Sequence, residues 1–289
     1  FLPLISYLNK MNYTWNFKPL PLQATVIQLQ QELNISEPLA ILLAQRGITT
    51  FQQAKDFFRP TLSQLHNPFL MKGMKEAVTR LDHALKNNET ILIYGDYDVD
   101  GTSAVSLMER YLSTFTSKLF TYVPDRYSEG YGISFQGIDY AKTQGCTLII
   151  ALDCGIKAID KVQYAKEKGI DCIIADHHRP SDQVPDAVAV LDPQQADCLY
   201  PYKELCGCGL GFKLAQAYHE YLQRPFSELM PLLDLVAVAT AADIVPMNGE
   251  NRTLMYFGLE VINQQPSAGV KALFGFFDLS VFEGFAVVG

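Results

Sequence analysis

The sequence predicts an α/β protein: a doubly wound, mainly parallel sheet flanked by helices, with a helical N-terminal segment and a helical C-terminal part. Three observations carry this prediction. Short apolar runs of strand length recur between residues 90 and 191. Helix-length segments separate most of them, and that alternation produces parallel strands joined by crossover helices. Before residue 90, and again after Gly209, the apolar spacing is helical.

Taken in order, Ser36-Glu-Pro38 reads as a helix start, with a capping residue followed by an early proline. Arg46-Gly47 reads as that helix's end. Thr50 caps a second short helix that stops at Pro60, and Met74, Ala77, Val78, Leu81 and Leu85 mark a longer amphipathic one. The period then changes. Residues 91–94 form an apolar strand, followed by the loop Gly95-Asp-Tyr-Asp-Val-Asp-Gly101 and a helix over 104–112. Strands are expected at 119–123, 147–152, 171–175 and 188–191, with helices at 137–144 and 158–168. Helices over 212–222, 229–242 and 253–263 complete the chain, and no repeat or low-complexity tract interrupts it. The expected organisation is a helical segment over 1–88, the α/β domain over 89–250 and a helical tail over 251–289.

Composition narrows the class. At 289 residues, with 48% hydrophobic and 19% charged residues, the chain suits one large globular domain or two modest ones. No run reaches the roughly eighteen apolar residues of a membrane span. The apolar opening Phe1-Leu-Pro-Leu-Ile-Ser-Tyr-Leu lacks a basic flank and a small-residue cleavage site, so it is not read as a signal peptide, and Met11 is a candidate start. The net charge of −8 disfavours a nucleic-acid binder unless many of the acids sit on cations. Of six cysteines, Cys146, Cys154 and Cys172 fall in or beside apolar runs, while Cys198, Cys206 and Cys208 have no zinc-site spacing. A reduced, cytoplasmic protein is expected.

The chemistry is concentrated at the expected strand ends, where ligands meet a parallel sheet. The strand at 91–94 leads into Asp96, Asp98 and Asp100, that at 147–152 into Asp153-Cys-Gly155, and that at 171–175 into Asp176-His177-His178. An apolar element over 232–242 ends in Asp243-Ile-Val-Pro246. A single aspartate after a strand is ordinarily a cap or turn residue. Several converging carboxylates would repel one another and resist ionisation, a penalty that divalent cations remove. Hard oxygen donors with one or two imidazoles suit two Mn²⁺ or Mg²⁺ ions. Dinucleotide binding is excluded, because the first loop has only Gly95 and Gly101 and its middle is acidic.

These residues resemble the DHH phosphoesterase superfamily, and within it the RecJ-type single-stranded-DNA-specific exonucleases. The resemblance rests on Tyr94-Gly-Asp-Tyr-Asp-Val-Asp-Gly-Thr102, Ala151-Leu-Asp-Cys-Gly155, Ala175-Asp-His-His178 and Ala239-Thr-Ala-Ala-Asp-Ile-Val-Pro246, in the family's order. Arg126-Tyr-Ser-Glu-Gly-Tyr-Gly132, Gly207-Cys-Gly-Leu-Gly211 and Leu43-Ala-Gln-Arg-Gly47 agree as well. The resemblance implies that Asp98 and Asp100 serve different metals, that Asp153 bridges them, and that His177 and Asp243 complete the second site. Many members carry a histidine where this chain has Tyr94, so Asp96 is the candidate ligand of the first site. His178 is implied as a ligand or as a contact to the scissile phosphate; Arg126 and the glycine-flanked Tyr131, which follow the strand at 119–123, are the candidates for contacting a phosphate and stacking a base. The implied activity is metal-assisted 5′–3′ hydrolysis of single-stranded DNA in repair and recombination, with single-strand-binding protein and a helicase as partners. The alternative is hydrolysis of short oligoribonucleotides or cyclic dinucleotides. The family also implies a further C-terminal domain.

Overall fold

The computed structural model describes residue 14 and residues 16–276. The rejected leader, the candidate start at Met11 and the end of the expected tail, 277–289, lie outside the described residues. The chain divides into two compact units at Pro60/Thr61.

In the first unit, helices α1 (Gln23–Leu33), α2 (Glu37–Ala44) and α3 (Phe51–Phe58) surround Val26, Leu29, Ala40, Leu43, Ile48 and Ala54. Ser36 and Thr50 occupy the expected N-cap positions, and Thr50 Oγ1 accepts from Gln53 N. Gly47 takes φ +80° after α2, a conformation costly for a residue with a Cβ.

The second unit follows as α4 (Met74–Lys86), β1 (Thr90–Gly95), α5 (Val99–Leu112), β2 (Leu119–Tyr122), α6 (Phe135–Thr143), β3 (Cys146–Leu152), α7 (Ile159–Glu167), β4 (Asp171–Ala175), β5 (Ala189–Leu191), α8 (Gly207–Tyr221), α9 (Leu233–Ala242), α10 (Gly249–Gln264) and α11 (Ala268–Phe276). The sheet has the order β2-β1-β3-β4-β5, and every pairing is parallel.

Alternate residues of each central strand enter different cores. Ile91, Ile93, Leu148, Ile150, Leu152, Ile173 and Ala175 pack with α4, α5, α8 and α9, while Leu92, Tyr94, Ile149, Ala151, Cys172 and Ile174 pack with α6 and α7. Burial on both faces explains the near-continuous apolar runs. In this strand order the chain reverses direction between β1 and β3, which opens a crevice at their carboxyl ends.

Several boundaries differ from those expected. Helix α4, assigned above to the N-terminal segment, packs on β5 and α8 in the second unit, burying Met74, Ala77, Val78 and Leu81. The expected break at 250/251 falls inside α10, where Glu250 is fully buried and accepts from Lys213 Nζ, Tyr200 Oη and His66 N. Helix α5 begins at Val99 rather than 104, because Gly101 lets its first turn lie on the backbone of Asp96; a Cβ there would stand 2.5 Å from Asp96 O. Helix α8 begins at Gly207 rather than 212, and its glycines belong to the helix, where they permit close approach rather than breaking it.

Candidate metal centre

The tight turn from β1 into α5 sets out the first motif. Asp96 follows the strand and is buried; its Oδ1 accepts weakly from Gly132 N at 3.4 Å, and its Oδ2 has no hydrogen-bond partner. Asp98 is exposed and N-caps α5, its Oδ1 accepting from Gly101 N at 3.0 Å. Asp100 lies in the first turn and is buried, and its two oxygens accept from Gly207 N at 2.6 Å and Cys208 N at 2.8 Å. It therefore anchors the start of α8, whose unpaired N–H groups and positive dipole end favour a carboxylate. Cys206 supplies the N-cap of that helix, with Sγ accepting from Gly209 N.

Asp153 follows β3 in the left-handed conformation, φ +60°. Its Oδ1 lies 3.1 Å from His177 Nε2 without hydrogen-bond alignment, so it is a buried acceptor lacking a donor. His177 Nε2 is also 3.8 Å from Asp100 Oδ2 and 3.7 Å from Asp243 Oδ2. Asp243 reaches this point as the C-cap residue of α9. Strand tips β3 and β4 and helices α5 and α9 thus bring one imidazole and three carboxylates together. Two triads meet the distances a single cation needs: Asp153, His177 and His178, and Asp100, His177 and Asp243, each with ligand atoms within 4.8 Å of one another.

Burial, reinforced by the charge of Asp100, pushes the Asp153 carboxyl up to about 10. Burial also raises Asp96 and Asp243 from their ordinary value. The orphaned Asp153 Oδ1, the orphaned Asp96 Oδ2 and the mutual repulsion are what a divalent cation would relieve, and the oxygen-plus-imidazole donors suit Mn²⁺ or Mg²⁺. The residues fit the expected metal.

His178 is held by Asp176, which is almost completely buried: His178 Nδ1 lies 2.7 Å from Asp176 Oδ1, which also accepts from His178 N, while Oδ2 accepts from Ile156 N. The hydrogen bond to Asp176 raises the His178 pKa above its ordinary value. Burial opposes ionisation of Asp176, yet His178 and these backbone donors hold its carboxyl low. The pair therefore stabilises the fold between the depressed Asp176 pKa and the raised His178 pKa. Its Asp176 part is lost as pH falls through the former, and its His178 part as pH rises through the latter. Asp176→Asn is expected to return the His178 pKa towards about 6.5 and to cost roughly 1–3 kcal/mol through a poorly satisfied buried acceptor. An NMR titration of the His178 ring, together with thermal unfolding, checks both effects.

Tyr131 Oη donates to Asp153 O at 3.1 Å and lies 3.2 Å from His178 Nε2. Arg126 is exposed, its guanidinium 5.1 Å from the centroid of Tyr97, whose ring meets that of Tyr131 edge-on at 6.3 Å. The structure thus brings Asp100, Asp153, His177, His178, Asp243 and Tyr131 into contact. Asp96 lies at the β1 tip and Asp98 at the α5 cap, outside both triads, while Arg126 reaches them only through Tyr97 and Tyr131. Tyr94 Oη is occupied elsewhere, donating to Gly132 O and accepting from Ser134 N on the α6–α7 side.

Sequence reasoning gave no separate role to Asp176, Gly207 or Asp192. Gly207 sits against Asp153, where a Cβ would stand 2.4 Å from the Asp153 Cβ. Asp192 follows β5 fully buried with Oδ2 unpartnered, and burial pushes it up to about 7. The signal for it was available: like Asp96, Asp153 and Asp176, it is the aspartate immediately after a strand.

Carboxylates and imidazoles converging at the carboxyl end of this parallel sheet define an α/β protein with an acidic divalent-metal site. The chain belongs to the DHH family, since residues 90–240 match the family's N-terminal domain. It is 42% identical over 253 residues to the single-stranded-DNA-specific exonuclease RecJ of Bacillus subtilis (strain 168), covering 88% of this chain and 31% of that protein. The RecJ exonuclease of Escherichia coli (strain K12) is 34% identical over 243 residues, covering 80% of this chain and 41% of that protein. The crystal structure of RecJ from Thermus thermophilus in complex with Mn²⁺ superposes with a TM-score of 0.78 at 27% identity, covering 95% of this chain and 38% of that chain. The chain therefore spans about a third of the length of the B. subtilis relative.

Proposed function

We propose that the chain is the catalytic part of a two-metal exonuclease that hydrolyses single-stranded DNA from 5′ to 3′ in repair and recombination. The observation that carries this reading is the unpartnered, buried Asp153 Oδ1 beside His177 Nε2, with Asp100 and Asp243 around the same ring. Relatives named as single-stranded-DNA-specific exonucleases supply the substrate class. Asp100, Asp153, His177 and Asp243 would hold the ions, with Asp96 and Asp98 completing the first position from the β1–α5 turn. When bound, two divalent ions lower the pKa of a water for in-line attack at phosphorus and stabilise charge on the leaving oxygen.

The chain's own groups orient the substrate and move its charge. His178, its Nδ1 held by Asp176 and its Nε2 beside Tyr131 Oη, would donate to a phosphate oxygen in its protonated form. Tyr131 and Arg126 line the approach, suited to stacking a base and contacting a phosphate. Single-strand-binding protein and a helicase are proposed partners, and a further C-terminal domain is proposed to close over the substrate, both on the family resemblance; the cytoplasm is the proposed location on the free, buried cysteines. Among the described residues, no helix is long and apolar enough to cross a membrane.

End-labelled single-stranded DNA, single-stranded RNA and a cyclic dinucleotide, each incubated with the full-length protein and Mn²⁺ or chelator, test the reading. DNA is expected to be degraded from the 5′ end with Mn²⁺ alone. Preferential hydrolysis of RNA or of the cyclic dinucleotide would overturn it in favour of the alternative substrates.

A further inference from the structure

A cavity of about 190 Å³ opens beside the metal centre, lined by Tyr131, His178, Lys157 and Lys161, with the buried Ile133 and Ile156 as an apolar floor. We propose that it is a subsite for a second phosphate of the substrate, the one neighbouring the phosphodiester hydrolysed at the carboxylate cluster. The inference rests on the phosphodiesterase reading and extends it to which part of the substrate lies where.

The cavity is joined to the centre through two shared side chains. His178 belongs to the triad with Asp153 and His177, and Tyr131 Oη donates to Asp153 O. A strand leaving the cluster past these rings enters the cavity directly.

The charge on its walls is positive, although the whole chain carries −8. The acid in the lining, Asp176, is buried and spends both oxygens on His178 and on Ile156 N. Lys157 is exposed and makes no hydrogen bond or ion pair among the described residues. Lys161 Nζ lies 2.8 Å from Asp160, an exposed neighbour whose hold on it is weak, and 5.2 Å from the Phe135 ring centroid. A cationic recess beside an acidic cluster concentrates a polyanion where the cluster alone would repel it. Its volume equals roughly six waters at ~30 Å³ each, room for a phosphate with its sugar. The apolar floor suits the sugar carbons.

The test compares a trinucleotide, which has two phosphodiesters, with bis(4-nitrophenyl) phosphate, which has one and no neighbour. In the full-length protein with Mn²⁺, the double variant Lys157→Glu/Lys161→Glu is expected to lower the ratio of the two kcat/KM values about 10-fold, chiefly through KM for the trinucleotide. The salt slope of trinucleotide binding should shrink by about 1 per lysine. Lys142→Glu, the same change of charge on another helix, should leave the ratio as it is. An unchanged ratio in the double variant overturns the proposal, as does an equal loss on both substrates. If the wild type hydrolyses neither substrate, the phosphodiesterase reading itself fails. The subsite is then decided by fluorescence anisotropy of a labelled trinucleotide with Mn²⁺: about 10-fold weaker binding to the double variant supports it, and equal affinity refutes it.

Discussion

Asp153→Asn is expected to cut hydrolysis by more than about 100-fold, beyond the range usually lost with residues that only orient a metal ligand, while leaving the metal-free fold at least as stable as the wild type. The two effects have one cause. Asp153 is buried among other acids and its carboxyl is pushed up to about 10, so without a cation its ionised form strains the fold. Because the folded-state pKa lies above the unfolded value of about 3.9, the folded protein binds more protons between these values. Stability from this group is complete below about pH 4 and declines as pH rises towards the folded value. Metal-free wild type should therefore melt at progressively lower temperature from pH 5 to 9, and the asparagine variant should lose that part of the slope. Asparagine tolerates the left-handed φ of +60° better than alanine does, which makes it the cleaner substitution. Thermal unfolding in chelator across that pH range, paired with Mn²⁺ binding isotherms, measures both effects. Undiminished activity in the variant would remove Asp153 from the centre.

Gly207→Ala is expected to damage the site from a position that bears no chemistry. The added Cβ would stand 2.4 Å from Asp153 Cβ and 2.6 Å from Asp153 Oδ1. Either Asp153 yields, or α8 retreats and loses the N–H groups of Gly207 and Cys208 that hold Asp100. Overpacking of this kind costs about 1–3 kcal/mol, and displacing two carboxylates should lower activity by roughly 10–100-fold. Gly209→Ala, two residues along the same helix, should behave in the opposite way. Its Cβ would meet the Leu205 side chain at 3.4 Å, an ordinary contact. Removing this first-turn glycine of α8 should stabilise the fold slightly, by at most about 0.5–1 kcal/mol. Unfolding curves of the two variants side by side decide the matter, and equal effects would show that close approach to Asp153 is not what Gly207 provides.

The strands were legible because both faces of the sheet are buried, so β1, β3 and β4 appear as unbroken apolar runs. The site was legible because these runs end in acids that a parallel sheet must bring to one edge. Asp243 ends α9, the helix expected over 229–242, so the parallel sheet alone could not place it beside the other acids. Asp98 and Asp100 were read as neighbours in one loop, yet the start of α5 at Val99 separates them. The first becomes an exposed cap, and the second a buried anchor for another helix. Periodicity could not show this, because the partner amides lie more than a hundred residues away. The role of Asp176 is set by Ile156 N, twenty residues away, and by its near neighbour His178, contacts that no period in the sequence displays, and Lys157 belongs to no motif.

By itself the sequence determined the alternation of strands and helices, and hence the parallel sheet, its acidic edge and the residue types that suit divalent cations, because these follow from local period and side-chain chemistry. Only the tertiary structure decided which carboxylates meet His177, which glycines must stay bare and where the cationic recess opens. Those outcomes depend on contacts between segments far apart in the chain, and packing, rather than local preference, sets their distances.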